Sequence, residues 1–272
     1  MNAPAKDTLA QRLRARYEGS FLQEFVRGLG EVAFGDRIII FGASLLLSVL
    51  PLIIVLSAYA NHRIQDDIAR HLGLSRQGAR IVGGLFRASV GSFSLAILIS
   101  LLLSFAGTVA VARSVQVIYE RAFEQAHAVG VQGLLRSVIW VLAVGGIVIA
   151  DGALGKSLRD EFAGPVVMGA VEFVAFAAFF WWSIHFLLGG REPWRATWRA
   201  AIASSFCWIG LGVFAGFYFS STIVSDSKTY GAIGVTFTLV TWFIAMGAVI
   251  TLGAVVGAVW QRRRSGGHRV GA

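Results

Sequence analysis

Residues 38–60 read IIIFGASLLLSVLPLIIVLSAYA, a run of twenty-three residues without a charged side chain. An α-helix rises about 1.5 Å per residue, so this run spans roughly 34 Å, which is enough to cross a hydrocarbon core about 30 Å thick. Pro51 lies near the middle of the run and cannot donate a backbone hydrogen bond to the carbonyl group of Leu47. The sequence therefore predicts a transmembrane helix with a kink at Pro51.

The composition of the whole chain indicates that most of it lies in a membrane. Of its 272 residues, 56% are hydrophobic and 14% are charged, whereas soluble domains carry about 25% charged residues. The formal net charge is +9. Because the basic residues cluster at the ends of apolar segments, we expect membrane lipids with anionic headgroups as their partners, and no nucleic acid. The single cysteine, Cys207, excludes a disulfide within the chain.

Five further apolar segments follow the first, so the sequence predicts an all-α, polytopic membrane protein with six transmembrane helices. The spans are expected at about residues 38–60, 90–112, 134–150, 166–188, 200–222 and 230–260. The third is the weakest because it is short, and the sixth is longer than a bilayer requires. Residues 61–89 mix charges with short apolar groups, and we expect two short interfacial helices there.

Residues 1–37 form an amphipathic segment ahead of the first span. Apolar side chains recur there every four residues, at Leu9, Leu13, Tyr17, Phe21, Phe25 and Leu29. This spacing predicts a helix with one apolar face. Such a helix can lie in the membrane interface with its arginines among the headgroups, or it can pack against the bundle from the cytosol. The residues leave both alternatives open.

The lysines and arginines of the connecting segments predict the orientation of the chain. With six spans and the N-terminus inside, sixteen of these residues lie on the cytoplasmic side and eight on the outer side. We therefore expect both termini in the cytoplasm, with residues 261–272 as a basic cytoplasmic tail.

Glu172 is the most suggestive residue within the predicted spans. A charge at the centre of a transmembrane helix costs about 2.5–3.5 kcal/mol on insertion scales. We therefore expect the carboxyl group of Glu172 to face the bundle, to pair with a cation or to be protonated. It is either a carboxylate that binds a proton or a substrate, or a buried carboxyl group that is hydrogen-bonded to a serine or to the backbone.

Three further polar residues complete the candidate intramembrane site. Ser44 and Ser48 precede Pro51, and hydroxyl groups at such positions bond carbonyl groups of their own helix more often than a ligand. Arg113 ends the second span. Its guanidinium group either binds an anion or extends to the lipid headgroups.

Two GxxxG pairs indicate where helices approach each other closely. Gly212 and Gly216 lie in the fifth span, and Gly253 and Gly257 lie in the sixth. Small residues four apart let helix backbones come close together. We expect packing within the bundle, with formation of a homo-oligomer as the alternative.

The residues of a catalytic or metal-binding site are not recognisable in the sequence. The five histidines form no HxxxH or HxH spacing, and a single cysteine cannot supply a zinc pattern. No phosphate-binding loop or dinucleotide fingerprint is recognisable either. We therefore expect no cofactor, no metal ion and no enzymatic activity.

Several motifs resemble one family when their order is considered. They are the S-x-x-P step of the first span, VARSVQVIYERAF at residues 111–123, P-W-R-x-x-W at 193–198, and TYGAIG at 229–234 before a last helix with LGA. In this order the chain resembles the YihY/BrkB family of bacterial inner-membrane proteins, over about residues 20–260. The resemblance implies six spans and an inner-membrane location. The family was once labelled ribonuclease BN, a label generally regarded as mistaken, and we expect no ribonuclease activity.

Two positions depart from the pattern of that family. An acidic residue and then an asparagine tend to follow the Gly-Ala pair of the last helix, where this chain has Val255 and Gly257. If that polar pair carries the family's activity, this member has lost or altered it.

These features together predict a transporter or flippase-like protein for a lipid or another amphiphile. The resemblance agrees, since some members of the family have been linked to export of lipid or envelope material and others to serum resistance. A non-transporting membrane scaffold for envelope partners is the alternative, and a membrane enzyme is the third hypothesis. A polar cavity that reaches Glu172 would favour transport, whereas a dry, close-packed core would favour the scaffold.

Overall fold

The computed structural model describes residues 20–59, 95–127, 130–161 and 165–267, and all regular structure in these ranges is helical. The helices are α1 (Phe21–Val32), α2 (Phe34–Tyr59), α3 (Leu95–Ala122), α4 (Val131–Glu161), α5 (Pro165–Leu187), α6 (Trp194–Phe214), a π-helical turn (Ala215–Phe219) and α7 (Ser220–Gly267). The prediction of an all-α fold is confirmed for these residues.

Five segments of these helices are long and apolar enough to cross a membrane. They are Phe34–Leu52, Ile97–Ala122, Gly169–Leu187, Trp194–Phe219 and Ile233–Arg264. They correspond to the predicted spans one, two, four, five and six. The predicted third span has a shorter counterpart, since the apolar part of α4 is limited to Val131–Ile147.

The amphipathic segment joins the first span through a single residue. Ser20 caps α1, because its hydroxyl oxygen accepts a hydrogen bond from the backbone N–H of Gln23 at 3.2 Å. Ala33, with a φ of 55°, ends α1, and α2 begins at Phe34. Residues 1–19, the two predicted interfacial helices at 61–89 and the last residues of the basic tail lie outside the described ranges.

Pro51 lies inside α2, where this helix crosses α3 at close range. A Cβ atom placed on Gly107 would lie 2.5 Å from the backbone nitrogen of Ser48. The hydroxyl group of Ser104 donates to the carbonyl oxygen of Ser48 at 2.8 Å. The carbonyl group of Leu47 lacks its usual donor four residues later, because Pro51 has no N–H group. Helix α3 thus supplies a hydrogen bond to the next carbonyl group along the chain, that of Ser48.

The part of α7 after Gly231 is the central helix of the bundle. Gly231 has φ 60° and ψ −138°, so the chain turns sharply there and the segment from Ser220 folds back beside it. The carboxylate of Asp226 accepts a hydrogen bond from Thr238 across this turn. Between Gly231 and Val259, every helical turn of α7 contains at least one buried residue.

The two GxxxG pairs lie in different surroundings. A Cβ atom on Gly253 would lie 2.5 Å from Ser204 Cα, and one on Gly257 would overlap the Cα atom of Ala200. The backbones of α6 and α7 therefore touch at this pair. Around Gly212 and Gly216, no described atom lies within 4 Å of such a Cβ atom. The described residues therefore leave the space beside this pair open, and its role in helix packing or in a homo-oligomer stays a prediction.

The bundle is closed at one end and open in its other half. At the closed end, the end of α3, the end of α5 and the start of α6 are largely buried, at residues 111–123, 180–188 and 197–205. In the other half, stretches of four helices contain no buried residue, at residues 98–103 of α3, 139–147 of α4, 169–179 of α5 and 206–214 of α6. Side chains in six or more consecutive helical positions point in all directions around the axis. These stretches are therefore less buried than the closed end, although aromatic contacts still join them, such as that of Phe176 with Trp208 at 6.3 Å between the ring centroids. We call them the open half.

Candidate functional site

A buried carboxylate group lies at the closed end, in the last turn of α3. Glu120 follows the apolar residues Ile118 and Tyr119, and only 1% of its surface is exposed. An isolated carboxylate in such a position is strongly unfavourable, so it requires a cation and hydrogen-bond donors around it.

Three residues surround the carboxylate of Glu120. Gln116 Nε2 donates to Glu120 Oε1 at 2.8 Å, Arg191 Nη2 donates to the same oxygen at 3.0 Å, and His127 Nδ1 lies 3.1 Å from Glu120 Oε2. Arg113 Nη1 donates to Gln116 Oε1 at 3.3 Å. The positions 113, 116 and 120 are three and four residues apart, so they share one face of α3.

The loop between α5 and α6 carries the cation of this site. Gly189 and Gly190 have φ values of 68° and 71°, a left-handed conformation that favours glycine, and they turn the chain back towards α3. Arg191 Nε then donates to the carbonyl oxygen of Leu188 at 2.7 Å, and Arg191 Nη1 donates to that of Ala126. Because backbone contacts hold the guanidinium group, it is oriented before it meets the carboxylate.

Glu192 connects the same loop to two other helices. Its carboxylate accepts from Gln125 Nε2 at 2.7 Å and from Gln261 Nε2, at the end of α7, at 3.3 Å. Its carbonyl oxygen lies 3.0 Å from His185 Nδ1, and the ring of His185 stacks on Trp194 with the centroids 4.0 Å apart. The ends of α3, α5, α6 and α7 are therefore joined through one loop.

These side chains form what we call the closed-end network: Arg113, Gln116, Glu120, Gln125, His127, Arg191, Glu192 and Gln261. Its carboxylates and amides are engaged with one another across four helix ends. Chemically, the arrangement is suited to holding the bundle shut at this end. Within the described ranges, no three His, Cys, Asp or Glu residues lie close enough together to hold a metal ion.

A family model described as virulence factor BrkB matches residues 44–271, which is most of the chain. The chain belongs to the BrkB family. The resemblance found in the sequence motifs is thereby confirmed. A search of the curated proteins and a search of the solved structures gave no match.

The BrkB-family motif at residues 111–123 contributes most of the α3 part of the network. Sequence reasoning used this motif for recognition but named only Arg113 from it as a candidate. Arg113 is half-buried and bonds Gln116, so its guanidinium group is at least partly engaged within the protein. The signal that could have revealed the rest is the spacing of Gln116 and Glu120, two polar residues one turn apart in an apolar helix.

The two predicted serines of this BrkB-family protein lie away from the network. The hydroxyl group of Ser44 donates to the carbonyl oxygen of Ile40 at 2.7 Å, within its own helix. The hydroxyl group of Ser48 instead meets the hydroxyl group of Thr108 at the crossing of α2 and α3. Both serines therefore have protein partners.

Glu172 lies in the open half on α5, and its side chain is exposed. Among the described residues its carboxyl group does not face a packed interior, and the expectation of a cation partner or a bound proton stays a prediction. The physical reason is the position of Glu172 along the helix. Phe176 and Phe179, one and two turns later, contact Trp208 and Trp140, whereas Glu172 lies before these contacts. The structure thus separates Glu172 from Arg113, which lies at the closed end.

The two residues that depart from the BrkB family's pattern lie in tight contacts. Val255 is 1% exposed, and its Cγ1 atom would lie 2.9 Å from a Cβ atom on Gly28. Gly257 lies against the backbone of α6 at residue 200. An asparagine at position 257 would not fit this contact without a shift of α6, so the loss of a polar pair here coincides with close helix packing.

Proposed function

We propose that this BrkB-family protein spans the bacterial inner membrane six times, has both termini in the cytoplasm, and moves a lipid or another amphiphile across the bilayer. The observation that carries the proposal is the asymmetry of the bundle, which is closed at one end and open in the other half. Many transporters alternate access by rocking one part of the bundle against another, and a bundle that is tightly packed at one end only can accommodate such a motion.

The surfaces of the open half suit an amphiphile. They consist largely of exposed apolar side chains, such as Leu102, Leu142 and Val174 with exposed fractions of 61%, 65% and 65%. Acyl chains can lie against such surfaces without loss of hydrophobic contact. Glu172 adds one carboxyl group in the same region, where it can bind a proton or a polar headgroup.

The length of α4 supports a sixth span. This helix has 31 residues and is therefore about 46 Å long, more than a bilayer core requires. Its polar C-terminal part lowers the hydropathy without shortening the helix. With six spans, the charge bias of the connecting segments assigns the closed end to the cytoplasm.

Lipid movement in liposomes tests the proposal. The full chain is reconstituted with fluorescent NBD-labelled phospholipids, and dithionite is added outside, so that only labels that reach the outer leaflet are bleached. In wild-type liposomes, we expect dithionite to bleach more than the half of the label that starts in the outer leaflet. With Glu172→Gln, the slow phase of bleaching, which reports lipid movement, should be at least five-fold slower. Glu31→Gln, an exposed carboxylate on α1, serves as the matched control and should leave the rate unchanged.

Two results would contradict parts of this proposal. If wild-type liposomes match protein-free liposomes for zwitterionic, anionic and single-chain probes, lipid movement is refuted. If Glu172→Gln moves lipid as fast as the wild type, the carboxyl group has no part in the process. Enzymatic activity, a metal ion and a nucleic-acid partner form no part of the proposed function.

The alternative function is a scaffold that assembles through its own transmembrane helices. The exposed pair Gly212 and Gly216 favours it, since small residues four apart form helix–helix contacts in membranes. Replacing both glycines with leucine meets open space in the single chain and should leave the fold intact. If self-association is the function, these changes should abolish the dimers found by cross-linking in liposomes while the single chain stays folded.

A further inference from the structure

Helix α1 exposes an apolar strip that the rest of the described chain does not cover. Leu22 and Val26 lie one turn apart with exposed fractions of 56% and 50%, and Phe21 beside them is 39% exposed. Gln23 follows Leu22 and Arg27 follows Val26, so these two polar residues form a second strip that runs beside the apolar one on the same helix. Parallel strips of this kind are typical of helices that lie in a membrane interface.

The opposite face of α1 is fixed to the end of α7. Val32 is fully buried, and a Cβ atom on Gly28 would meet Val255 at 2.9 Å. Two ion pairs hold the polar edge of this contact, between Arg263 and Glu24 at 3.1 Å and between Arg262 and Glu31 at 3.4 Å. These contacts hold α1 against α7 with the apolar strip facing away from it.

The position of α1 along the membrane normal is set by the chain itself. Only Ala33 separates α1 from the apolar stretch Phe34–Leu52. The docking partner of α1, the end of Ile233–Arg264, is also the boundary of a span. Both connections hold α1 at the level where apolar segments give way to charged residues, which is the level of the lipid headgroups.

From these observations we infer that α1 lies in the membrane leaflet at the closed end, with Leu22 and Val26 against acyl chains, while it stays docked on α7. The occupant of the apolar strip is the lipid surface. A cleft of about 490 Å³ lined by Glu24, Arg27, Arg262 and Arg263 lies beside the ion pairs. This inference is independent of lipid movement by the open half.

A depth-dependent fluorescence measurement tests the inference on the full chain. The single cysteine is first removed as Cys207→Ser, and Val26→Cys or Arg27→Cys is then labelled with NBD. These two positions are neighbours on the apolar and the polar strip, so Arg27→Cys is the matched control. In liposomes with doxyl-labelled acyl chains, we expect NBD at position 26 to be quenched at least three-fold more than NBD at position 27.

Leu22→Cys and Gln23→Cys form a second pair in the preceding turn and keep the test valid if one variant fails to fold. Equal quenching at the two strips would overturn the inference. An NBD emission at position 26 that is shifted to the blue but not quenched by doxyl lipids would also overturn it. That result would mean that a second copy or another segment of this chain, and not lipid, covers the apolar strip.

Discussion

At the scale of single residues, Glu120 shows how a buried charge is kept in an apolar bundle. Its carboxylate is almost inaccessible, and the guanidinium group of Arg191 lies 3.0 Å from it. Removing one partner of such a pair leaves the other charge without compensation, which costs more than the pair itself contributes. Arg191 is partly exposed, so the cost is smaller than for a fully buried pair.

We therefore expect Glu120→Gln to lower the free energy of unfolding by about 2 kcal/mol. The measurement is the thermal unfolding midpoint of the purified protein in detergent. Glu124→Gln is the control, because that carboxylate is 63% exposed and pairs with Arg262 at the surface, where a pair contributes about 0–1 kcal/mol. Equal midpoints for the two variants would show that Glu120 has no special structural role.

At the scale of helices, the two GxxxG pairs show that a sequence motif does not by itself determine whether a second helix packs against it. Both pairs have the same spacing, and both lie in apolar helices. Only Gly253 and Gly257 meet a neighbouring backbone in the described chain, whereas Gly212 and Gly216 meet open space. The difference arises from which helix lies opposite, and local sequence contains no information about that.

This difference gives a matched pair of substitutions. We expect Gly257→Ala to destabilise the protein by about 1–3 kcal/mol, because its new methyl group overlaps the backbone of α6. Gly212→Ala adds the same group without a contact, and it should be neutral or stabilise α6 by up to about 1 kcal/mol, since alanine favours a helix more than glycine does. Chemical unfolding in detergent measures both. A larger loss at position 212 than at position 257 would contradict the assignment of the α6–α7 contact.

At the scale of the whole molecule, sequence predicted the elements better than their assembly. Apolar length alone identifies a membrane-crossing helix, so the five long spans and the weakness of the third could be read directly. The closed-end network could not, because Glu120 and Arg191 are 71 residues apart in the chain. Glu172 illustrates the same limit, since its position within a span says nothing about which side of its helix has a neighbour.

The network and the open half together make one prediction about the whole bundle. The side chains of Gln125, just after the end of α3, and Glu192, in the loop before α6, meet at 2.7 Å. If an amphiphile completes its passage only when the closed end separates, a bond across this contact must stop the passage. Cysteines at positions 125 and 192, in the Cys207→Ser background, can be joined by a short, reducible bis-thiosulfonate cross-linker.

We expect cross-linking of this pair to slow lipid movement in liposomes at least ten-fold, and a reductant to restore it. Cysteines at Glu24 and Arg263 join α1 to α7 outside the network and provide the matched control, which should keep the original rate. An unchanged rate after complete cross-linking at positions 125 and 192 would mean that the closed end never opens during transport. The open half would then have to conduct lipid along its outer surface, because a bundle locked at one end offers no other route.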